Sequence, residues 1–206
     1  MHAHHGTHSG WAQHPLSDTG QRAHLHRTES SVSGVGSVTY QVEAFDAESV
    51  YFNGAVDIYI EFTGHDVTES RQFFKKYATT KPDYVGLVAV QDEQVIGMAF
   101  GTRSAMGDWW HNRVAQEVGP HHRSLQDAWV LIELIVRAGY RDRGIGAQLH
   151  DAVIARQPYR NLLLSTGADN TGAQRFYRRR GWRYLHHGFP FRVGRPPYVI
   201  MSRQLT

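Results

Sequence analysis

The chain has 206 residues, long enough for one domain with a substantial core and too short for two comfortable ones. It contains no cysteine, which excludes disulfides, thiolate metal sites and any reaction through a cysteine nucleophile. No run of about eighteen apolar residues occurs and the start lacks the basic and apolar blocks of a secretory signal, so the expectation is a cytoplasmic protein with no membrane segment.

The formal charge of +3 conceals an asymmetry: from Arg160 onward there are nine arginines and a single acid, Asp169. Such a field suits nucleic acid, and equally a ligand carrying several phosphates. The modest total disfavours a dedicated nucleic-acid binder.

Residues 1 to 37 hold seven of the fourteen histidines among Ser, Gly and Thr and show neither a period of two nor one of 3.6, so they read as a disordered tail. The spacing of His2, His4, His5 and His8 matches no closed metal site, and no metal is expected. The domain proper runs from 38 to 206. Val38 to Phe45 alternates as a strand, and Ser49 to Phe62 carries Phe52, Val56, Tyr59 and Ile60 at helical spacing. A second helix is expected from Asp66 to Ala78, stopped by Lys81-Pro82. Tyr84 to Val90 and Val95 to Thr102 read as a hairpin around Gln91-Asp-Glu-Gln94.

Ser104 to Gln126 reads as a long irregular insertion containing Trp109, Trp110, His111, His121 and His122, too long for a bland connection and therefore expected to cover a site. Ala128 to Val136 is nearly continuously apolar, as a strand buried on both faces would be, and Glu133 alone breaks it. Gly144 to Arg156 has helical spacing, and Asn161 to Ser165 is a short buried strand. Asp169 is placed to cap a further helix that carries Ala173, Phe176 and Tyr177 and ends at Gly181. Two strands, near Trp182 to Leu185 and Tyr198 to Gln204, close the chain.

The most informative segment is the buried strand followed by Arg141-Asp-Arg-Gly144-Ile-Gly146 and an amphipathic helix. Glycines at 144 and 146 let backbone N–H groups approach an anion, and the helix start directs free N–H groups and the positive end of its dipole at the same place. A Walker A loop would need Gly-Lys-Ser/Thr, whereas Gly146 precedes Ala147-Gln148; a dinucleotide fingerprint would need a third glycine where Leu149 stands.

Together, Glu133-Leu-Ile-Val136 with Tyr140-Arg141-Asp-Arg-Gly144-Ile-Gly146-Ala147, and some thirty residues on Asp169-Asn170-Thr-Gly-Ala173-Gln-Arg-Phe176-Tyr177-Arg-Arg-Arg-Gly181-Trp182, resemble motifs A and B of the GCN5-related N-acetyltransferase (GNAT) superfamily. The resemblance implies an α/β domain with a mixed, mostly antiparallel sheet splayed near its middle and helices on both faces. It implies acetyl-CoA as co-substrate: backbone groups of Leu134, Ile135 and Val136 on the pantetheine arm, amides of Arg141, Asp142, Arg143, Gly144, Ile145, Gly146 and Ala147 on the pyrophosphate, and Asn170 as a further contact. Tyr177 matches the tyrosine that protonates the departing thiolate. Arg137-Ala138-Gly139 stands where the family often has a proline.

Direct transfer to a primary amine requires a base, a polarised carbonyl and an acid. Strict alternation places Glu133 on one face with Trp129, Leu131 and Ile135, where an apolar setting would raise its pKa, and it is the favoured base. A backbone N–H at a bulge near Ile135 would polarise the carbonyl. Asp108, Glu117, His111, His121 and His122 are alternative bases. Trp109, Trp110 and His111 are candidates for an acceptor pocket. Arg178-Arg179-Arg180 reads as a solvated helix end, with contact to the 3′-phosphate of coenzyme A or to an acidic partner as the alternative. The rival to an enzyme is a module that binds acyl-CoA without catalysis. The acceptor amine is unidentified, and a homodimer is left open.

Overall fold

The computed structural model describes residues 39–206, so the tail expected to be disordered lies outside the described residues. Seven strands form one sheet: β1 (Gln41–Ala44), β2 (Val85–Gln91), β3 (Gln94–Ser104), β4 (Ala128–Val136), β5 (Asn161–Gly167), β6 (Arg183–Pro190) and β7 (Pro197–Gln204). They lie in the order β1-β2-β3-β4-β5-β7-β6. Every neighbouring pair is antiparallel except β4 with β5, so the sheet is mixed and mostly antiparallel as expected.

Among the described residues five α-helices connect them: α1 (Phe52–Thr63), α2 (Val67–Thr80), α3 (Trp109–Val118), α4 (Ile145–Arg156) and α5 (Thr171–Arg178). They divide between the two faces, as the core clusters show. Val56, Tyr59, Phe73, Phe74, Tyr77, Trp110 and Val114 of α1, α2 and α3 pack with Val130, Ile132 and Ile135 of β4. On the opposite side Ile145, Leu149, Val153, Tyr177 and Trp182 pack with Trp129 and Leu131. Burying an apolar stripe from each helix against a two-faced sheet is what removes this surface from water.

Local chemistry explains the joints. Asp92 and Glu93 both take positive φ (47° and 63°), the backbone a two-residue hairpin needs to match strand twist. Asp66 caps α2 by accepting the Glu69 N–H at 3.0 Å. The cap of α5 is Asn170 and not Asp169: its Oδ1 accepts the Ala173 N–H at 3.0 Å.

The segment expected to be an irregular insertion is largely helical. β3 continues to Ser104, and α3 places Trp110, His111, Val114 and Ala115 on its buried side. A helical stripe at i, i+1, i+4 and i+5 was present, hidden because two of its four members are Trp and His rather than aliphatic. The last hairpin is also longer than its letters suggested: β6 reaches Pro190, with irregular pairing on either side of His186.

The feature that positions the site is the join between β4 and β5. Their parallel ladder comprises three residue pairs, Ala128 with Asn161, Trp129 with Leu162 and Val130 with Leu163, and the strands then part. At the parting point the register of β3 against β4 shifts. Phe100 faces Glu133 while Gly101 faces Leu131, leaving Ile132 as the extra residue of a bulge.

Candidate active site

The loop after β4 turns through a 3₁₀ segment, Ala138–Tyr140, and takes positive φ at Asp142 (60°) and Gly144 (82°) before entering α4. A residue with a Cβ is strained at φ near +80°, and Gly144 relieves that strain. No side chain caps α4; its first backbone bond is Gln148 N–H to Gly144 O at 3.0 Å. The first-turn amides are therefore free for an anion. Space is available as well. A Cβ at Gly144 would meet nothing within 4 Å, and one at Gly146 only Val136 Cγ2 at 3.6 Å. Arg141 Nε donates to Val136 O at 3.1 Å, tying the loop to the end of β4, and the Arg143 guanidinium lies 5.9 Å from the Tyr140 ring centroid.

Glu133 lies at the bulge, 8% exposed, with no hydrogen bond or ion pair among the described residues. Burial raises its pKa to about 8. The bulge corrects its expected surroundings. Because Ile132 is an extra residue, Trp129 and Leu131 face α4 while Val130, Ile132 and Ile135 face α1, so strict alternation fails across Glu133. The bulge itself falls at Ile132, not near Ile135.

Tyr177 approaches from α5. It is 9% exposed, its ring is packed by His150, Phe176 and Trp182, and its hydroxyl has no hydrogen-bond partner among the described residues. Burial and then the Glu133 charge raise its pKa, while Arg180 opposes them, so the phenol keeps its proton at any physiological pH. That Glu133 perturbs Tyr177 places the carboxyl and the phenol in one electrostatic neighbourhood, although 44 positions separate them in the chain.

The other expected site residues divide. Leu134, Ile135 and Val136 lie on β4 beyond the last β5 pair, where the parted strands leave backbone groups without a ladder partner. Asn170 uses its side-chain oxygen on the α5 cap. Trp110 is built into the core, its indole N–H donating to Ser165 Oγ at 3.2 Å and its ring stacked on Phe191. Trp109 packs on Phe191 too. His111 is buried, with Nδ1 3.0 Å from Ser104 Oγ and a pKa lowered by burial, partly offset by Asp108. Asp108 pairs with Lys81 and Glu117 with Arg113, while His122 accepts the Ser124 N–H. The arginine run is not wholly solvated: Arg180 folds back with its guanidinium 3.9 Å from the Phe176 centroid.

Tyr59 of α1 and Tyr198 of β7 escaped the sequence reading. The Glu133 charge raises the pKa of Tyr59, after burial, and Tyr198 acts on Tyr59 next. Tyr59 was legible only as an apolar position of a helix stripe, and a strand register was needed to bring Tyr198 close. An open groove of about 900 Å³ lies at the start of β2, lined by Asp46, Glu48, Tyr84 and Arg156. Val85 pairs with Gly101 there, whereas the loop follows the far end of β4, where Gly97 pairs with Val136, so the groove is remote from the anion site.

Among the described residues, no helix is long and apolar enough to cross a membrane. The chain is similar to the GCN5-like protein acetyltransferase Rv2170 of Mycobacterium tuberculosis (strain ATCC 25618 / H37Rv), 29% identical over 151 residues that make up 68% of this chain and 71% of that protein. Its fold is similar to the ribosomal-protein-S18-alanine N-acetyltransferase from Escherichia coli, with a TM-score of 0.59 at 16% identity, covering 82% of this chain and 95% of that one. It is also similar to a chain of the NatC complex bound to Gag peptide and CoA, with a TM-score of 0.59 at 16% identity, covering 81% and 99% respectively. Residues 52–182, which span both motifs and the parted strands between them, match the acetyltransferase (GNAT) family, and to that family the chain belongs.

Proposed function

We propose that the chain transfers an acetyl group directly from acetyl-CoA to a primary amine, with Glu133 as base and Tyr177 as acid. The observation that carries this reading is that Glu133, a buried carboxyl with no hydrogen bond or ion pair among the described residues, lies at the bulge where β4 and β5 part and bears electrostatically on the buried Tyr177 phenol.

The amides of Arg141 through Ala147 would hold the pyrophosphate, with Arg141 and Arg143 adding charge, and the β4 backbone from Leu134 to Val136 the pantetheine arm. Asn170, its oxygen engaged in the cap, keeps its amide N–H groups for the coenzyme. Bound acetyl-CoA supplies the thioester. Glu133, ionising near pH 8, accepts a proton from the incoming ammonium, directly or through one water. The neutral amine nitrogen then forms the new bond to the carbonyl carbon as the C–S bond breaks. Tyr177 donates its proton to the sulfur, the proton that the acylated nitrogen then releases restores the phenol, and a backbone N–H at the Ile132 bulge is suited to polarise the carbonyl.

Thiol release from acetyl-CoA across a panel of amines tests the reading. The Tyr177→Phe chain should lose about a hundredfold or more in kcat, in line with the usual worth of a positioned acid of about 10²–10⁴, and keep its coenzyme affinity. A wild-type chain that binds acetyl-CoA and acetylates no amine would replace the enzyme with a binding module.

A further inference from the structure

His150 is fully buried on α4, the helix that begins at the anion loop, and both its ring nitrogens are engaged. The indole N–H of Trp182 lies 2.9 Å from Nε2. An indole N–H can only donate, so Nε2 carries the lone pair and the proton resides on Nδ1, which donates to Asp151 Oδ1 at 2.7 Å. Burial lowers the pKa of His150, with Asp151 opposing, which keeps the ring neutral.

Trp182 in turn is tied to Tyr177. The carbonyl of Tyr177 accepts the Trp182 amide at 3.2 Å and the Arg180 amide at 2.9 Å. The Tyr177 ring packs against Trp182 with centroids 5.8 Å apart and against His150 at 6.1 Å. Arg180 closes the far side, its Nε 3.8 Å from Asp151 Oδ1. A buried imidazole that uses both nitrogens adds direction, and rotamers locked by such bonds hold a reacting group in place.

We propose that His150 is a positioning residue: oriented by Asp151, it fixes the Trp182 indole, and Trp182 fixes Tyr177 for proton delivery to the departing thiolate. This rests on the reading of Tyr177 as the acid. It links the helix that would hold the pyrophosphate to the residue that would complete the transfer.

His150→Leu should lower kcat about tenfold while leaving KM for acetyl-CoA and coenzyme A affinity within twofold, and His150→Gln, which keeps an acceptor for the indole, should recover most of the loss. In the Tyr177→Phe background neither change should alter kcat by more than twofold, since contacting residues that act as one unit are not additive. Equal losses in both backgrounds, or coenzyme affinity falling in step with kcat, would overturn the proposal. Trp182→Phe allows the same comparison if His150→Leu does not fold. A readout independent of turnover is the ¹⁵N spectrum of histidine-labelled protein. His150 should appear as the neutral Nδ1–H tautomer at neutral pH, and its Nε2 signal should move in Trp182→Phe. The other tautomer, or free titration near pH 6.5, sinks the clamp whatever the activity. If Tyr177→Phe alone leaves kcat unchanged while the spectrum is as described, the clamp stands, but the acid assignment and the positioning role built on it both fall.

Discussion

Replacing Glu133 by Gln keeps the shape of the side chain and removes its ionisation, and the consequence should appear in stability as well as rate. An acid whose pKa rises on folding holds its proton more tightly in the folded state. The stability this provides is complete below the unfolded value near 4.5 and is lost as pH climbs through about 8. Within that window each pH unit removes about 1.4 kcal/mol, so between pH 5 and 7 the wild type should lose about 2 to 3 kcal/mol relative to Glu133→Gln. Glu133 is only 8% exposed and has no ion pair among the described residues, so solvent and counter-charge do little to reduce the effect. Urea unfolding of both proteins at half-unit pH intervals measures the difference. In parallel, kcat/KM of the wild type should rise with pH to a plateau above about 8, and the variant should lose that ionisation. A stability difference that stays flat between pH 5 and 7 would refute the reasoning, because the carboxyl would then be solvated or paired in the folded chain.

Gly144→Ala introduces a Cβ at φ 82° with nothing within 4 Å, so the cost is backbone strain alone, about 1 to 2 kcal/mol by urea unfolding, and Gly144→Glu should abolish coenzyme A binding by calorimetry. Gly101→Ala is a different case, since its Cβ would lie 2.3 Å from both Val130 O and Trp129 Cη2. We expect a loss of about 3 kcal/mol or failure to fold, judged by urea unfolding and circular dichroism. Asn170→Ala removes the α5 cap and should cost about 1 kcal/mol in the same unfolding assay, while Asn170→Asp, which keeps an accepting oxygen, should remain near wild type.

The segments legible in the sequence were those whose pattern and physics coincide. The apolar run of β4, the Gly144 turn into α4 and the Asp92-Glu93 hairpin declare themselves because burial, positive φ and twist each demand a restricted set of residues. Helix α3 did not, because its inner face holds Trp110 and His111, residues whose burial depends on partners such as Ser165 and Ser104 that lie far away in sequence or around a turn. The orientation of Glu133 was hidden for another reason. The bulge at Ile132 is a property of pairing with β3, and Gly101, into whose missing side chain the Trp129 ring and Val130 carbonyl press, lies about thirty residues earlier in the chain. Tyr177 was visible through its motif, whereas its confinement by His150 and Trp182 depends on contacts between α4 and the turn after α5.

The three-pair ladder between β4 and β5 divides the sheet into two pieces of unequal folding character. β1 through β4 form a meander whose neighbours are adjacent in sequence order, and β6 with β7 is another local hairpin carrying β5 beside it. Hairpin pairings such as β2 with β3 and β6 with β7 close rapidly, while the parallel join must wait for the whole crossover through α4 and gains only three residue pairs. The seam therefore completes late in folding and is the least costly place for the native sheet to breathe, so amides bordering it, from Ile132 to Val136, should exchange with solvent sooner than those of β2 and β3. The cleft between the strands and the weakest line of the fold are the same place.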